Sequence, residues 1–243
     1  MGRAIVAGGN PNMKAPMAGI QAGTLAVGSV VKLMEGGTAV EYLVVNQGLP
    51  SNSSRYDVSC NGTWLLRKDI HSERQWHTSS VNIYESSAIH AWLNGDFLNS
   101  LGAEEREAIK QVKIPYRKNG GKGTDSGGAS GLPAKVFLLG GYEVGWTTSE
   151  NSYYPKDGDK LDYFDNGNST AANNKRIANM RGVANIWWLR SPYGSGTSNS
   201  VSVLSNGSGM EYGSSYMRGI RPALILPKTA LFDDATMQLK GVA

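Results

Sequence analysis

Two apolar stretches near the C-terminus, Trp187-Trp188-Leu189-Arg190-Ser191-Pro192 and Gly219-Ile220-Arg221-Pro222-Ala223-Leu224-Ile225-Leu226, enclose a tract of mostly small or hydroxylated residues. Between Tyr193 and Tyr216 the larger interruptions are Val201, Val203, Leu204, Met210 and Glu211. The two ends have the character of core anchors, whereas the middle has little apolar surface to bury. A rigid frame around a turn-rich insert is how scaffolds carry binding loops. Ser, Gly, Asn and Tyr also dominate adaptable paratopes, because Tyr supplies contact area at low entropy cost and the others supply hydrogen bonds and backbone freedom. Trp187, Trp188, Arg190, Arg221 and Pro222 belong to the frame and are not expected to touch a ligand.

Within the tract, Ser200-Val201-Ser202-Val203-Leu204 alternates with period two. This predicts a strand with Val201 and Val203 facing inward and Ser200, Ser202 and Leu204 facing outward. Asn206-Gly207 is a turn signal, because both residues tolerate positive φ, and it reverses the chain into a hairpin. Met210, Tyr212 and Ser214 then share one face of the return strand. Composition alone slightly favours an ordinary solvated hairpin over a binding loop.

Upstream, Val30-Val31-Lys32-Leu33, the Gly36-Gly37 turn and Val40 to Val45 predict a β-hairpin, and Trp64-Leu65-Leu66 a short buried strand. Ile89, Trp92, Leu93 and Phe97 fall at helical spacing within Ser86 to Leu101. A second helix is expected over Ala103 to Gln111, with Glu104 and Glu105 in the first turn, where the macrodipole favours acids. Tyr116 to Leu132 is a long Gly-rich loop without the spacing of a phosphate-binding loop. Val136 to Leu139 reads as a buried strand, followed by a Tyr/Asp/Asn-rich excursion running to Asn174.

Several function classes find little support. The formal charge of +4 is spread over scattered Lys and Arg, densest at Arg117-Lys118 and Lys122, so nucleic acid is not an expected partner, and attraction to an acidic cell surface is equally compatible. Cys60, the single cysteine, cannot form an internal disulfide and is expected to be buried beside Trp64-Leu65-Leu66. No run approaches the roughly 20 apolar residues of a membrane span, and no export signal is evident. Asp157, Asp159, Asp162 and Asp165 invite a calcium reading, but their spacing is not that of an EF-hand, and solvated loop acids are the stronger expectation. His71, His77 and His90 are dispersed, and no nucleophile has an obvious partner, so catalytic residues, metal ligands and cofactors are not expected.

Long motifs nevertheless carry a resemblance. Trp187 to Ser191 (W-W-L-R-S), Gly219 to Leu224 (G-I-R-P-A-L), Cys60 to Ile70 (C-N-G-T-W-L-L-R-K-D-I) and Ala91 to Asn99 (A-W-L-N-G-D-F-L-N) are similar to the variable proteins of diversity-generating retroelements. So are Ile109 to Tyr116, Val136 to Trp146 and Asn173 to Ala178, and the group most resembled is that of gut prophages and bacteria. The resemblance implies an α+β, C-type-lectin-like fold of the formylglycine-generating-enzyme subtype, with mixed and antiparallel sheets, two packed helices and long loops. The expected organisation is an N-terminal attachment or oligomerisation segment over residues 1–28 and a domain over 29–243, its variable region at about 187–226. Such proteins change side chains by mutagenic reverse transcription at template adenines. Tyr193, Ser195, Thr197, Ser198, Ser200, Ser202, Leu204, Ser208, Tyr212, Ser214 and Tyr216 fit the substitutions open to an AAC codon, whereas Met210 and Glu211 do not. These eleven residues are the implied ligand-binding set, with the three tyrosines as anchors. The implied function is a non-enzymatic, phage- or prophage-encoded receptor-binding protein. It would recognise a cell-surface protein or glycan as a homo-oligomer or tail component, in a virion assembled in the bacterial cytoplasm. The alternative is a structural tail component that binds no ligand.

Overall fold

A computed structural model describes residues 18–51 and 53–242. Its centre is a five-stranded antiparallel sheet in the order Val136–Phe137, Ala223–Leu226, Gly62–Arg67, Thr38–Gly48, Val30–Glu35. The hairpin expected from Val30 to Val45 forms around Gly36-Gly37, with Val31 paired to Tyr42 and Leu33 to Val40. Position within the sheet explains the composition of each strand. Val30–Glu35 lies at the edge and alternates between half-buried and buried residues, whereas Gly62–Arg67 and Ala223–Leu226 lie inside and are apolar on successive residues. Trp64, Leu65, Leu66, Leu224, Ile225 and Leu226 are all fully buried.

A second five-stranded sheet runs Gly209–Gly213, Asn199–Val203, Trp187–Pro192, Met217–Gly219, Glu73–Gln75. Its pairs are antiparallel except Trp187–Pro192 with Met217–Gly219. The anchors expected from the sequence are core: every residue from Trp187 to Pro192 is buried, as is every residue from Gly219 to Leu226. The Trp76 indole, from the segment after Glu73–Gln75, donates to the Leu189 carbonyl at 2.9 Å and ties the sheet's edge to its centre.

Helix is scarce. The Ile89/Leu93/Phe97 face is buried as its spacing predicts, but the segment is built from Ala88–Trp92, a π-helical turn at Leu93–Phe97 and a last turn at Leu98–Ser100. The second helix ends at Ala108 rather than Gln111, and Thr170–Arg176, which lies within the expected excursion, is helical with Ser169 as its cap. The α+β, C-type-lectin-like expectation is therefore corrected: with 35% strand against 18% helix in several small antiparallel sheets, the fold is mostly β. Helical periodicity in 86–111 is real, but it produces segments too short to form a layer over a sheet.

Residues 1–17 lie outside the described residues, and with them most of the proposed attachment segment. Residues 18–28 are part of the folded unit. Ile20–Gln21 pairs with Leu231 and Phe232, Ala230–Phe232 pairs in turn with Leu239–Val242, and Ala22 is fully buried.

Candidate functional site

The hairpin predicted around Asn206-Gly207 forms, with Asn199–Val203 paired to Gly209–Gly213 in the register Ser200 to Tyr212 and Ser202 to Met210. Its environment differs from the expectation. Asn199–Val203 is an inner strand flanked on both sides, and register places Trp188 opposite Ser202 on the other side. Ser200 and Ser202 are therefore fully buried together with Val201 and Val203, not displayed. Ser214 is also fully buried, its hydroxyl 2.9 Å from that of Ser200 and donating to the Ser198 carbonyl. These three serines are removed from the implied ligand-binding set. A small hydroxylated side chain alternating with valine suits an inner strand as well as an outer one, because Ser leaves room for larger neighbours.

The remaining eight separate by place. Leu204 and Ser208 are half-buried at the Asn206-Gly207 end, where the Leu204 amide donates to the Ser208 carbonyl at 2.8 Å. Tyr193, Ser195, Thr197, Ser198, Tyr212 and Tyr216 gather at the opposite end. There the loop 193–199 meets the turn after Gly213 through the Ser214 amide, which donates to the Ser198 carbonyl at 2.8 Å. Ser195, Thr197 and Tyr216 are exposed, and Tyr193, Ser198 and Tyr212 are half-buried.

The loop 193–199 is held from beneath by a residue that the sequence did not single out. Asn82 is 1% exposed, and its side-chain amide donates to the carbonyls of Asn199 at 2.8 Å and Gly196 at 3.2 Å. Its backbone amide donates to the Thr197 carbonyl at 2.9 Å, while its side-chain oxygen accepts from the Gly121 amide at 3.1 Å. A Cβ on Gly121 would stand 2.2 Å from the Tyr193 carbonyl oxygen, so only glycine allows the Gly-rich loop to lie flush under this one. No periodicity marks Asn82, since its role depends on three segments meeting in space. The signal was the glycine-rich run at 119–123, whose close approach of backbone to backbone requires the missing side chain.

Beside the loop the tyrosines are braced by a cation. The Arg218 guanidinium lies 4.2 Å from the Tyr212 ring centre and 5.7 Å from that of Tyr216, and the two rings are 6.5 Å apart. Tyr216 remains 55% exposed and Met217 51%, so the stack presents aromatic and apolar area to solvent without burying it. The backbone beneath is fixed by the His77 amide, which donates to the Ser214 carbonyl, and by the Gln75 side chain, which donates to that of Ser215.

Below the surface, Arg190 and Ser191 of the anchor enter a buried polar network. Arg190 makes a bidentate pair with Glu143 at 2.6 and 2.7 Å, and Glu143 also accepts from Tyr56 and the Gly140 amide. Ser191 donates to Asp157 at 2.6 Å. Asp157 is fully buried, which corrects the expectation of a solvated acid, and burial pushes its carboxyl up to about 7. The network knits the frame together and offers no opening to a ligand. Among the described residues no group of three or more His, Cys, Asp or Glu could hold a metal ion. Cys60 is buried as expected and its thiol is pushed up to about 12 by burial, so it is not a ready nucleophile. His71 lies 2.8 Å from the Ser72 hydroxyl, with its ring edge-on to Trp92 and Phe97 rather than aligned on a carboxylate.

The arrangement is thus a fixed loop and a braced aromatic pair on a buried polar frame, suited to noncovalent contact. A family model described as a domain of unknown function (DUF6273) matches residues 61–228, more than half of the chain. The chain belongs to that family. Among curated proteins and solved structures nothing matches it.

Proposed function

We propose that this protein is a phage- or prophage-encoded ligand-binding protein of the diversity-generating-retroelement kind, recognising a cell-surface protein or glycan noncovalently and without catalysis. The observation that carries the reading is the loop 193–199, which exposes Ser195 and Thr197 while buried Asn82 pins its carbonyls. A backbone fixed in this way does not have to be ordered on binding, so exchanged side chains alter specificity without an added entropy cost. Tyr216 and Tyr212, held by Arg218, are the aromatic anchors, since such residues dominate interface energies. The motifs shared with variable proteins at Trp187 to Ser191 and Gly219 to Leu224 support the retroelement origin. The mostly β fold departs from the one that the resemblance implies, so the reading rests on the motifs and the loop and not on the fold.

The test is sequencing of this gene and its flanking DNA across a natural population. The expected result is substitution at adenine-templated codons for Tyr193, Ser195, Thr197, Ser198, Leu204, Ser208, Tyr212 and Tyr216, with a near-duplicate template nearby. Ser200, Ser202 and Ser214 should stay small. Differences scattered evenly along the gene, with no template, would sink the proposal in favour of a structural component. At the protein level, Tyr216→Ala should leave thermal stability within about 0.5 kcal/mol of the parent, as for an exposed residue.

A further inference from the structure

Against the loop 193–199 at Gly194, and not reached by Tyr216, a cavity of about 390 Å³ is lined by residues that include Arg117, Asp125, Tyr153 and Lys156. At Asp125 it meets a second cavity of about 270 Å³, lined in part by Arg55. We infer that this trough is a binding site for an anionic saccharide, with a pyranose ring on Tyr153 and its acidic substituent between Arg117 and Lys156. The site lies outside the Tyr193–Tyr216 tract except for the contact with Tyr193 and Gly194, and needs no diversification to operate.

The aromatic platform is rigid. Tyr153 is 50% exposed, and its ring stands 5.4 Å from that of Tyr193 at an interplanar angle of 60°. Its backbone amide donates to the Asn151 side chain at 2.9 Å, and its carbonyl accepts from the Gly194 amide at 2.9 Å. A Cβ on Gly194 would stand 2.6 Å from that carbonyl oxygen, so glycine is what lets the two loops lock. The face of an aromatic ring is the negative end of its quadrupole and attracts the weakly positive C–H face of a sugar. An exposed ring held by its neighbours offers that face without an ordering cost.

The electrostatics select an anion. Arg117, Lys156 and Arg55 line the trough with Asp125, and the net charge stays positive when Asp159, which pairs with Arg55 at 3.9 Å, is counted against them. Arg117 donates to Asp125 at 3.0 Å and to the Gly121 carbonyl at 3.4 Å, and its Nε is buried, so it gives the trough fixed positive charge rather than a free donor. Lys156 is exposed and forms no ion pair among the described residues. Its position is nonetheless set, because its backbone amide donates to Asp125 at 3.2 Å and its carbonyl accepts from Arg55. A guanidinium and an ammonium beside an aromatic face match a ring that carries a carboxylate or a phosphate. The cavity's volume falls in the range of about 300–1,000 Å³ typical of small-molecule sites.

The test is calorimetric titration of the full chain with a galacturonic acid trimer, a glycerol phosphate oligomer, a neutral galactose trimer and a glutamate hexapeptide. The galacturonic acid trimer should bind with Kd of about 1 mM or tighter, while the glycerol phosphate oligomer, which carries the acid without a pyranose ring, should bind at least about tenfold more weakly. Binding should weaken at raised salt. Lys156→Ala and Tyr153→Ala should each weaken it by about tenfold or more, while Tyr216→Ala should leave it unchanged. Lys156 is exposed, so its variant keeps the test valid even if Tyr153→Ala perturbs the loop. The inference is overturned if the galacturonic acid trimer does not bind, if any of the other three probes binds as tightly, or if Lys156→Ala has no effect. Loss of binding in Tyr216→Ala would instead place the ligand on the other surface and overturn the trough alone.

Discussion

At the scale of single residues, the buried ionisable groups pull stability in opposite directions as pH changes. Asp157 keeps its proton in the fold up to about pH 7, against an ordinary value of 3.8, chiefly because burial disfavours its charge. The stability this gives is fully present below 3.8 and is lost as pH rises through about 7. His90 is driven by burial the other way, from 6.5 down to about 4, so its contribution is present above 6.5 and lost as pH falls through about 4. Between about pH 4 and 6.5 the native state therefore holds one proton more at Asp157 and one fewer at His90, and the two slopes oppose each other. Burial lowers His71 as well, which adds to the His90 side. Asp157→Asn should unmask the histidines, so that the melting temperature climbs with pH over this window more steeply than in the parent. His90→Gln should tilt the dependence toward a fall with rising pH. Melting curves by circular dichroism from pH 4 to 8 read both slopes, and parallel profiles for parent and Asp157→Asn would show that Asp157 is ionised in the fold.

At the scale of elements, the inner strand Asn199–Val203 separates what could be read in the sequence from what could not. Its existence, its turn at Asn206-Gly207 and the inward valines followed from local alternation and turn chemistry. The burial of Ser200 and Ser202 did not, because it depends on Trp188 lying opposite one serine and Tyr212 opposite the other, and both are separated from them in sequence. The anchors were legible because tryptophans and runs of aliphatic residues suit a core, whereas the burial of Arg190 and Ser191 depends on Glu143 and Asp157 from distant segments. The expected helical layer failed because apolar spacing fixes which face is buried and not how long the helix runs. For the candidate site, loop 193–198 could be read from composition, whereas Asn82 and Tyr153 were visible only once the chain had brought distant segments together. The strand makes its own prediction. The Ser202 hydroxyl is buried without a partner among the described residues, so Ser202→Ala should be neutral or stabilising by up to about 1–3 kcal/mol, the cost of an unmade hydrogen bond. Ser202→Tyr has no such space and should destabilise by about 1–3 kcal/mol or more through overpacking. Urea unfolding of both variants checks this, and a Ser202→Tyr protein as stable as the parent would return the position to the displayed set.

At the scale of the whole molecule, the family match and the folding unit have different limits. The matched residues 61–228 contain the anchors, the loop 193–199 and most of the trough, but they omit its Arg55 and two strands of the central sheet. Gly62–Arg67 sits between Ala223–Leu226 and Thr38–Gly48, so cutting at residue 61 opens a long apolar edge on Trp64, Leu65 and Leu66. It also removes Tyr56, whose ring meets Trp64 edge-on at 5.6 Å and whose hydroxyl donates to Glu143 in the buried network. Cutting at 228 removes Ala230–Phe232, and with it the pairing that ties Ile20–Gln21 to the C-terminal strands. An uncovered edge of this kind pairs with other chains rather than with solvent. Residues 61–228 expressed alone should therefore aggregate or lack a cooperative transition, whereas 18–242 should melt in a single step. Size-exclusion chromatography and thermal unfolding of the two chains decide the matter. A monomeric 61–228 that melts cooperatively near the temperature of the longer chain would mean that the first two strands are an accessory to a core complete without them, and that the recognition surface can be studied on the shorter piece.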